Sequence, residues 1–431
     1  MSSFICPECN KECTKYDWCK PCYSKHFQND FNNWTSGNDK IDKFIRDAQL
    51  NASGNWDAIE WIPYDRFKDV KQIGKGGFGT IHYARWIDGN IEEWDIKNQQ
   101  FKKYCKEVEV ALKKFDNFVN FNDVLNEMAI HLKIWTELAS IQFYGITQDP
   151  ETHSYMMVLE YAKDGNLREY LKINNINWNQ KLYNLYGLSL RLMNIHELDI
   201  VHQDFHPGNI LSSHFKNDIM ISDFGLSKLI WENPNNPEKK NIFGVLPYIA
   251  PEVLSGVEEY TKAADVYSFG IIAYEIVTGF PPYPDIPHDK DLAMKICNGL
   301  RPKIPFHTPK LITRIIMRCW DARVTHRPTF KVLEDELWKY YNNYNYRNDK
   351  DSEIRIQIEN SKKLSKNLEL INSTITTPLN YQTHPQAIYT SRLLNFSKLP
   401  KPKNEENFER ELEELTKSMS NLCPSNSDLF I

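Results

Sequence analysis

A chain of 431 residues allows two or three domains at ~150 residues each, with a core large enough to be stable without disulfides. The charges nearly balance, 52 Lys and Arg against 57 Asp and Glu, which argues against binding nucleic acid through bulk basic charge. No run approaches the ~18 apolar residues of a membrane span, and the start MSSFICPECNKEC lacks the apolar stretch of a signal peptide. We therefore expect a cytoplasmic protein with reduced thiols.

The first 22 residues hold five of the nine cysteines. A dense cluster in a reducing compartment indicates metal binding rather than disulfides, and C-x-x-C spacing lets both thiolates reach one ion at ~2.3 Å. Residues 1–25 therefore predict a small zinc knuckle, whose closed coordination sphere suits recruitment of a protein partner better than catalysis. The alternative is a flexible leader with free thiols, and Cys13 is either spare or an alternative ligand. The expected zinc ligands are Cys6, Cys9, Cys19 and Cys22.

Residues 26–61 predict a helical segment and a linker. Apolar residues at helical spacing within 38–50 indicate a short amphipathic helix, and the polar stretch after it is typical of a linker. From about residue 62 to 341, strand-like and helix-like segments alternate densely, which predicts an α+β domain. Within it, residues 85–107 are long for a link between strands and either bind a partner or are loose.

Residues 73–81 read Ile-Gly-Lys-Gly-Gly-Phe-Gly-Thr-Ile and contain G-x-G-x-x-G spacing. Alone, this pattern fits a dinucleotide fingerprint, a hairpin that covers phosphates or a structural turn. A dinucleotide site needs a helix directly after the glycines, whereas the β-branched and aromatic residues that follow predict a strand. The sequence therefore favours a hairpin whose backbone amides can approach phosphates, with the structural turn as the alternative.

A second strand-like segment, residues 108–113, alternates with period two and places Ala111 and Lys113 on one face. A small residue beside an ammonium group suits a flat base next to phosphate oxygens. The next predicted helix carries Glu127, a carboxylate able to hold the lysine in place. The alternative is an ordinary solvated lysine.

The stretch Ile200-Val-His-Gln-Asp-Phe-His-Pro-Gly-Asn-Ile-Leu211 and the later Asp223-Phe-Gly225 carry the chemistry of phosphoryl transfer. Such a reaction needs a carboxylate at the acceptor hydroxyl, and Asp204 can supply it. It also needs hard oxygen ligands for Mg²⁺, which Asn209 and Asp223 can supply.

With Ala-Pro-Glu at 250–252, these motifs follow one another in the order of the eukaryotic protein kinase domain, which residues ~64–341 resemble. The sequence patterns Leu159-Glu-Tyr-Ala-Lys-Asp-Gly-Asn-Leu and Cys319-Trp320 are most similar to those of the tyrosine-kinase-like group. The resemblance implies a bilobal fold with a small β-rich N-lobe and a larger helical C-lobe, a protein substrate, and ATP and Mg²⁺ as cofactors.

The resemblance also implies roles for particular residues. Lys113 would hold the phosphates and pair with Glu127, Asp204 would be the catalytic carboxylate, and Asn209 and Asp223 would ligate Mg²⁺. The other positions expected to line the nucleotide site are Ile73, Gly74, Lys75, Gly76, Gly77, Phe78, Gly79, Ile81, Ala111, Leu159, Glu160 and Ala162. Glu252 and Arg327 would form a buried ion pair in the large lobe.

Three positions depart from the pattern of the family. Gln203 replaces the Arg that usually receives an activation-loop phosphate, and residues 226–249 offer only Ser227 and Tyr248 as hydroxyls. We therefore predict activity without activation-loop phosphorylation. His206 and Val245 lack the groups that mark Ser/Thr kinases, although the tyrosine-kinase equivalents are absent too.

The sequence predicts an ATP-dependent kinase with a Ser/Thr preference; the alternative is a pseudokinase or nucleotide-binding scaffold. An unrelated nucleotide-binding protein is disfavoured by the order of the motifs. Residues 342–431 predict a largely flexible tail with a short amphipathic helix near 405–422. This helix would dock on the body or bind a protein partner.

Overall fold

In the computed structural model the described residues are 4–13, 18–75, 79–104, 107–115, 121–135, 139–229, 242–345, 351–371 and 383–420. They form two compact units, residues 1–163 and 164–431. The first unit is rich in strands and the second is mainly helical, as the predicted α+β fold class requires. Nowhere in these described ranges does a helix have the length and apolar character needed to cross a bilayer.

The first unit is built on a six-stranded sheet. Its order is β3-β9-β10-β8-β5-β4, antiparallel except for the parallel β3–β9 pair. The helices of this unit are α1 (Lys20–Asp30), α2 (Asp39–Asn51) and α3 (Phe121–Trp135). Its strands are β1 (Phe4–Ile5), β2 (Glu12–Cys13), β3 (Glu60–Trp61), β4 (Phe67–Lys75), β5 (Gly79–Trp86), β6 (Ile91–Asp95), β7 (Gln100–Lys103), β8 (Val108–Phe115), β9 (Phe143–Gln148) and β10 (Tyr155–Glu160).

The sheet core follows from alternation along the strands. Val110 and Leu112 of β8 are fully buried and pack with Trp86 of β5 and Val158 of β10. Because successive side chains of a strand point to opposite faces, Ala111 and Lys113 lie on the other face, as the sequence predicted.

The amino-terminal segment packs onto the same unit rather than forming a separate piece. Trp18 and Phe27 share a buried cluster with Ala52, Ala58 and Ile91, so the stretch after α2, which the sequence predicted to be a linker, is partly buried. The long connection at 85–107 forms the antiparallel β6–β7 hairpin, which supplies Ile91 to this cluster. Apolar contacts between distant segments thus give both stretches a structural role.

The second unit is built on long helices. α7 is buried along nearly its whole length, and α10 packs against α5. The helices are α4 (Leu167–Ile173), α5 (Trp178–Glu197), α6 (Pro251–Ser255), α7 (Lys262–Thr278), α8 (Lys290–Cys297), α9 (Lys310–Cys319), α10 (Phe330–Asn345), α11 (Glu353–Ile371) and α12 (Phe408–Ser420). Between the helices lie short antiparallel strand pairs. They are β11 (Ile200–Val201) with β14 (Lys228–Leu229), β12 (Ile210–Leu211) with β13 (Met220–Ile221), and β15 (Ile242–Gly244) with β16 (Arg392–Leu394).

The described residues of the tail form two helices and a strand, in a segment that the sequence predicted to be largely flexible. α11 buries Ile354 and Ile358, and β16 adds a strand to β15. The helix predicted near 405–422 is α12, which packs against α9 and buries Phe408. These elements bury a few apolar residues and pair one strand, features that composition alone does not predict.

Candidate active site

The glycine-rich stretch connects two antiparallel strands. Gly74 of β4 lies opposite Ile81 of β5, and Lys75 lies opposite Thr80, so a strand follows the glycines, as predicted. Residues 76–78, which include three predicted nucleotide-contacting positions, lie outside the described residues. At Gly79, φ is +158° and an added Cβ would lie 2.0 Å from the carbonyl oxygen of Lys114. Only glycine allows this close approach to β8.

A buried ion pair lies on the face of β8 that carries Ala111. The Lys113 ammonium group donates to a carboxylate oxygen of Glu127 on α3, and the residues are 6% and 4% exposed. This burial excludes the alternative of a solvated surface lysine. Since desolvation opposes the burial of both charges, such a pair adds little net stability and points to a functional role.

The predicted adenine-contacting residues meet on neighbouring strands. Leu159 of β10 lies opposite Ala111 of β8, and Leu159 is buried. The backbone N–H of Glu160 donates to the carbonyl of Gln142 at 2.9 Å, and Ala162 follows, half-buried, just after the strand ends. Of the remaining predicted positions, Ile73 is 47% exposed on β4.

In the second unit, a buried carboxylate holds the backbone of residues 202–209, the candidate catalytic loop. Asp265 of α7 accepts from the backbone N–H of His202 at 2.9 Å and of Gln203 at 3.3 Å, and it lies 2.9 Å from the His196 ring. Gln203 has a left-handed φ of +67°, uncommon outside glycine, so Asp265 stabilises a conformation that the chain would rarely adopt alone.

His202 makes hydrogen bonds inside the same loop. Its Nδ1 accepts from the Asp204 backbone N–H at 3.3 Å, so the neutral ring carries its proton on Nε2, which donates to the Ser222 carbonyl at 3.1 Å. Burial lowers the pKa of His202 despite the nearby Asp265 carboxylate. The ring is therefore neutral at neutral pH and ties the catalytic loop to the strand before Asp223.

The three predicted oxygen donors of this unit are brought close by short connections. Asn209 donates from Nδ2 to the Asp204 carbonyl at 2.9 Å, which leaves its side-chain oxygen free of that bond. The carbonyl of Asn209 accepts from the backbone N–H of Ser222 at 2.9 Å, so Asp223 follows one residue later. Asp223 has a left-handed φ of +63°, a strained conformation for a non-glycine residue. This donor set fits the oxygen ligands that Mg²⁺ prefers.

Beside Asp204, the structure places a residue that the sequence did not predict. Ser391, from the tail, donates its hydroxyl to Asp204 Oδ2 at 2.5 Å and lies 3.0 Å from His206 Nε2. A serine in a polar tail carries no sequence signal for such a position.

The positions that depart from the family pattern are structurally accommodated. Val245 is buried, and His206 accepts from the backbone N–H of Gly208 through Nδ1 at 3.0 Å. The predicted pair of Glu252 and Arg327 is present and buried: Nη1 lies 2.6 Å from Oε1 and Nη2 lies 2.7 Å from Oε2.

The four amino-terminal cysteines that the sequence paired as C-x-x-C converge. Their sulfur atoms all lie within 4.8 Å of one another, with Cys6 to Cys22 at 3.7 Å and Cys9 to Cys19 at 3.6 Å. A tetrahedral ion with ~2.3 Å bonds to sulfur needs edges of about 3.8 Å, so these distances fit zinc. Among the described residues Cys13 does not join this cluster.

Backbone hydrogen bonds favour thiolate at one corner of this cluster. Burial raises the pKa of the Cys6 thiol, but the backbone N–H groups of Cys9 and Glu8 outweigh it and bring the pKa to about 7. Burial raises the pKa of Cys22. A cation at the centre would counter the cost of charging the remaining sulfurs.

Comparison with known proteins places the chain in a family. Residues 67–337 match the family model of protein tyrosine and serine/threonine kinases, and the chain belongs to this family. The cysteine cluster and the whole tail, residues 342–431, lie outside the matched range.

Three relatives illustrate the range of the family. The chain is 31% identical over 288 residues to the tyrosine-protein kinase SPK-1 of Girardia tigrina, covering 64% of this chain and 53% of the relative. It is 27% identical over 286 residues to the dual specificity protein kinase pyk3 of Dictyostelium discoideum, covering 64% and 19%. It is 28% identical over 281 residues to the mitogen-activated protein kinase kinase kinase nsy-1 of Caenorhabditis elegans, covering 63% and 17%. The chain thus spans about half or less of these relatives.

Proposed function

We propose that this chain is an ATP- and Mg²⁺-dependent protein kinase that transfers the γ-phosphoryl group to a serine or threonine hydroxyl of a protein. The observation that carries the proposal is the buried Lys113–Glu127 pair, in a first unit whose glycine-linked strands can cover phosphates. The second unit adds Asp204 and Asn209, which lie on one loop whose backbone is held by hydrogen bonds to Asp265.

Each residue has a role that its surroundings support. Lys113, oriented by Glu127, binds phosphate oxygens. Asn209 and Asp223 hold Mg²⁺, which neutralises charge on the phosphates when it is bound. Asp204 orients the acceptor hydroxyl and accepts its proton, while backbone hydrogen bonds to neighbouring residues hold the loop in place.

A preference for serine or threonine is supported by the hydroxyl found at Asp204. Ser391 reaches the carboxylate through a single methylene group while its backbone leads directly into β16. A tyrosine there would carry its hydroxyl several ångströms farther from the backbone. The relatives include tyrosine and dual specificity kinases by name, so acceptor choice is the finer part of this proposal.

The competing hypothesis is a pseudokinase, which the departures at Gln203, His206 and Val245 favour. None of these side chains replaces a group that the proposed chemistry requires. Gln203 contributes its backbone N–H to Asp265, and Val245 is buried away from solvent.

The test is transfer of labelled phosphate from ATP to a generic protein in the presence of Mg²⁺. We expect Asp204→Asn to lower kcat by ~100-fold or more, the lower range for a positioned proton acceptor. The matched control is Asp291→Asn, an exposed carboxylate on α8, which should keep full activity. Binding of Mg²⁺-ATP without transfer would establish the pseudokinase, and no binding would refute both.

We also propose that activity does not depend on phosphorylation of the activation loop. Ser227 is buried and donates to the His202 carbonyl at 3.1 Å, and Tyr248 is buried with its hydroxyl donated to Glu275. Neither hydroxyl is presented to a second kinase. Protein treated with phosphatase before the assay should keep its initial rate, and a loss of turnover restored only by labelling within 226–249 would refute this.

We further propose that the cysteine cluster binds one Zn²⁺ and that the resulting knuckle recruits a protein partner. Four thiolates close the coordination sphere, which leaves no position for catalysis. Four free thiols also suit the reducing cytoplasm. Elemental analysis of the purified full chain should give one zinc per chain, lost in Cys9→Ser and kept in the control Cys13→Ser. Equal zinc in both variants, or none in the wild type, would contradict the site.

A further inference from the structure

A strand of the carboxyl-terminal tail pairs with the segment that precedes the Ala-Pro-Glu motif. Arg392 lies opposite Gly244, Leu393 opposite Phe243 and Leu394 opposite Ile242, in antiparallel register. Leu394 is buried. The strand pairing therefore fixes where the backbone of the residue directly before β16 lies.

Gly244 brings this strand close to the catalytic loop. Its φ is +141°, and an added Cβ would lie 3.4 Å from Asp204 Oδ1 and 3.0 Å from Ile249. Gly244 therefore lies in contact range of Asp204, and the residue before its strand partner Arg392 reaches the same carboxylate. That residue is Ser391.

The hydroxyl of Ser391 is held by two groups. It donates to Asp204 Oδ2 at 2.5 Å, and its oxygen lies 3.0 Å from His206 Nε2. Since His206 Nδ1 accepts from the Gly208 backbone N–H, the neutral ring carries its proton on Nε2 and donates it to Ser391. The proton of the serine therefore points to Asp204, as an acceptor hydroxyl requires.

The chain before Ser391 is anchored as well. The buried Arg168 donates to the Tyr389 carbonyl at 2.7 Å, and its guanidinium lies 4.8 Å from the Tyr389 ring centre. The backbone N–H of His288 donates to the Gln386 carbonyl at 2.9 Å, and the His288 ring Nδ1 lies 2.9 Å from the Ile388 carbonyl. On the other side of the serine, the Arg392 guanidinium donates to the His288 carbonyl. These contacts lie on both sides of the serine and run along the backbone, as for an extended peptide substrate.

We propose that His384–Leu394 is a substrate-like segment of the chain's own tail and that Ser391 is an intramolecular phosphorylation site. The inference rests on the proposed kinase function. The Ser391 oxygen attacks the γ-phosphorus of the magnesium-bound nucleoside triphosphate, forming an O–P bond as the bond to the β,γ-bridging oxygen breaks. The electron pair leaves with the nucleoside diphosphate, and the serine proton passes to Asp204 and then to water.

The test incubates the full chain with ATP and Mg²⁺, alongside a generic protein, and locates phosphate by mass spectrometry. We expect phosphoserine at 391 with the same first-order rate constant at protein concentrations tenfold apart. Ser391→Ala should lose the modification and Ser391→Thr should keep it. The control Ser397→Ala, an exposed serine of the same tail, should leave phosphorylation of Ser391 unchanged.

Two results would overturn the inference while leaving the proposed kinase function in place. One is a labelled generic protein without phosphate on Ser391. The other is phosphorylation of Ser391 on an isotopically marked Asp204→Asn chain mixed with wild type, at the rate seen in the wild type itself, because that reaction is intermolecular. If neither the generic protein nor Ser391 is labelled, the kinase function itself fails and the inference with it.

Discussion

Replacing Arg327 by leucine should destabilise the second unit strongly. The Arg327 guanidinium makes two bonds to Glu252, at 2.6 and 2.7 Å, and donates to the carbonyls of Asp321 at 2.7 Å and Ala263 at 2.9 Å. Glu252 is only 2% exposed, so Arg327→Leu leaves a buried carboxylate without its counter-ion. Removing one partner of such a pair costs ~3–5 kcal/mol.

Scanning calorimetry measures this loss as a change in Tm. At ~2–4 °C per kcal/mol for a unit of this size, Tm should fall by roughly 6–20 °C. The matched control is Lys331→Leu, because Lys331 pairs with Asp335 at 3.0 Å on an exposed helix face, where a pair is worth ~0–1 kcal/mol.

A double substitution separates the loss of the ion pair from simple loss of packing. Glu252→Met together with Arg327→Leu removes both charges, so most of the lost stability should return. The reasoning is refuted if Arg327→Leu lowers Tm no more than Lys331→Leu does, or if the double variant is less stable than Arg327→Leu alone.

Three further predictions concern the candidate site and the tail. Gly79→Ala should cost ~1–3 kcal/mol, measured by thermal unfolding, because its Cβ would meet the Lys114 carbonyl at 2.0 Å; an unchanged Tm would contradict this. Burial lowers the pKa of His202, so the unfolded state binds a proton there more readily than the folded state does. The free energy of unfolding of the wild type should therefore fall as pH drops below ~6.5. In His202→Leu this fall should be shallower, and an equal dependence of stability on pH in both proteins would refute the reasoning. Asn404→Leu removes a 2.7 Å bond to Asp321 and should expose the following α12 to limited proteolysis, whereas unchanged cleavage would count against docking through this residue.

Local spacing was enough to predict the family and several side-chain contacts of the candidate site. The strand after Gly79 was read from β-branched residues, and the Lys113–Glu127 contact from a strand face and a following helix. Cysteine spacing predicted which four thiols converge. Such features are short-range or follow a recurring order of motifs, so they can be recognised in a single sequence.

The helices and the strand of the described tail residues could not be predicted from composition. Phe408 lies on α12, which packs against α9, far earlier in the chain. β16 pairs with β15 through backbone hydrogen bonds, which any strand of suitable length could make. Composition reports what a segment can bury on its own, and these segments bury little on their own.

The sequence by itself determined the fold class, the order of the kinase motifs and the four cysteines that converge, because these depend on neighbours along the chain. The tertiary structure alone decided that the β6–β7 hairpin supports the cysteine-rich segment and that Ser391 meets Asp204. Contacts of this kind join residues far apart in the chain, and their partners are selected by shape and backbone hydrogen bonding rather than by any local pattern.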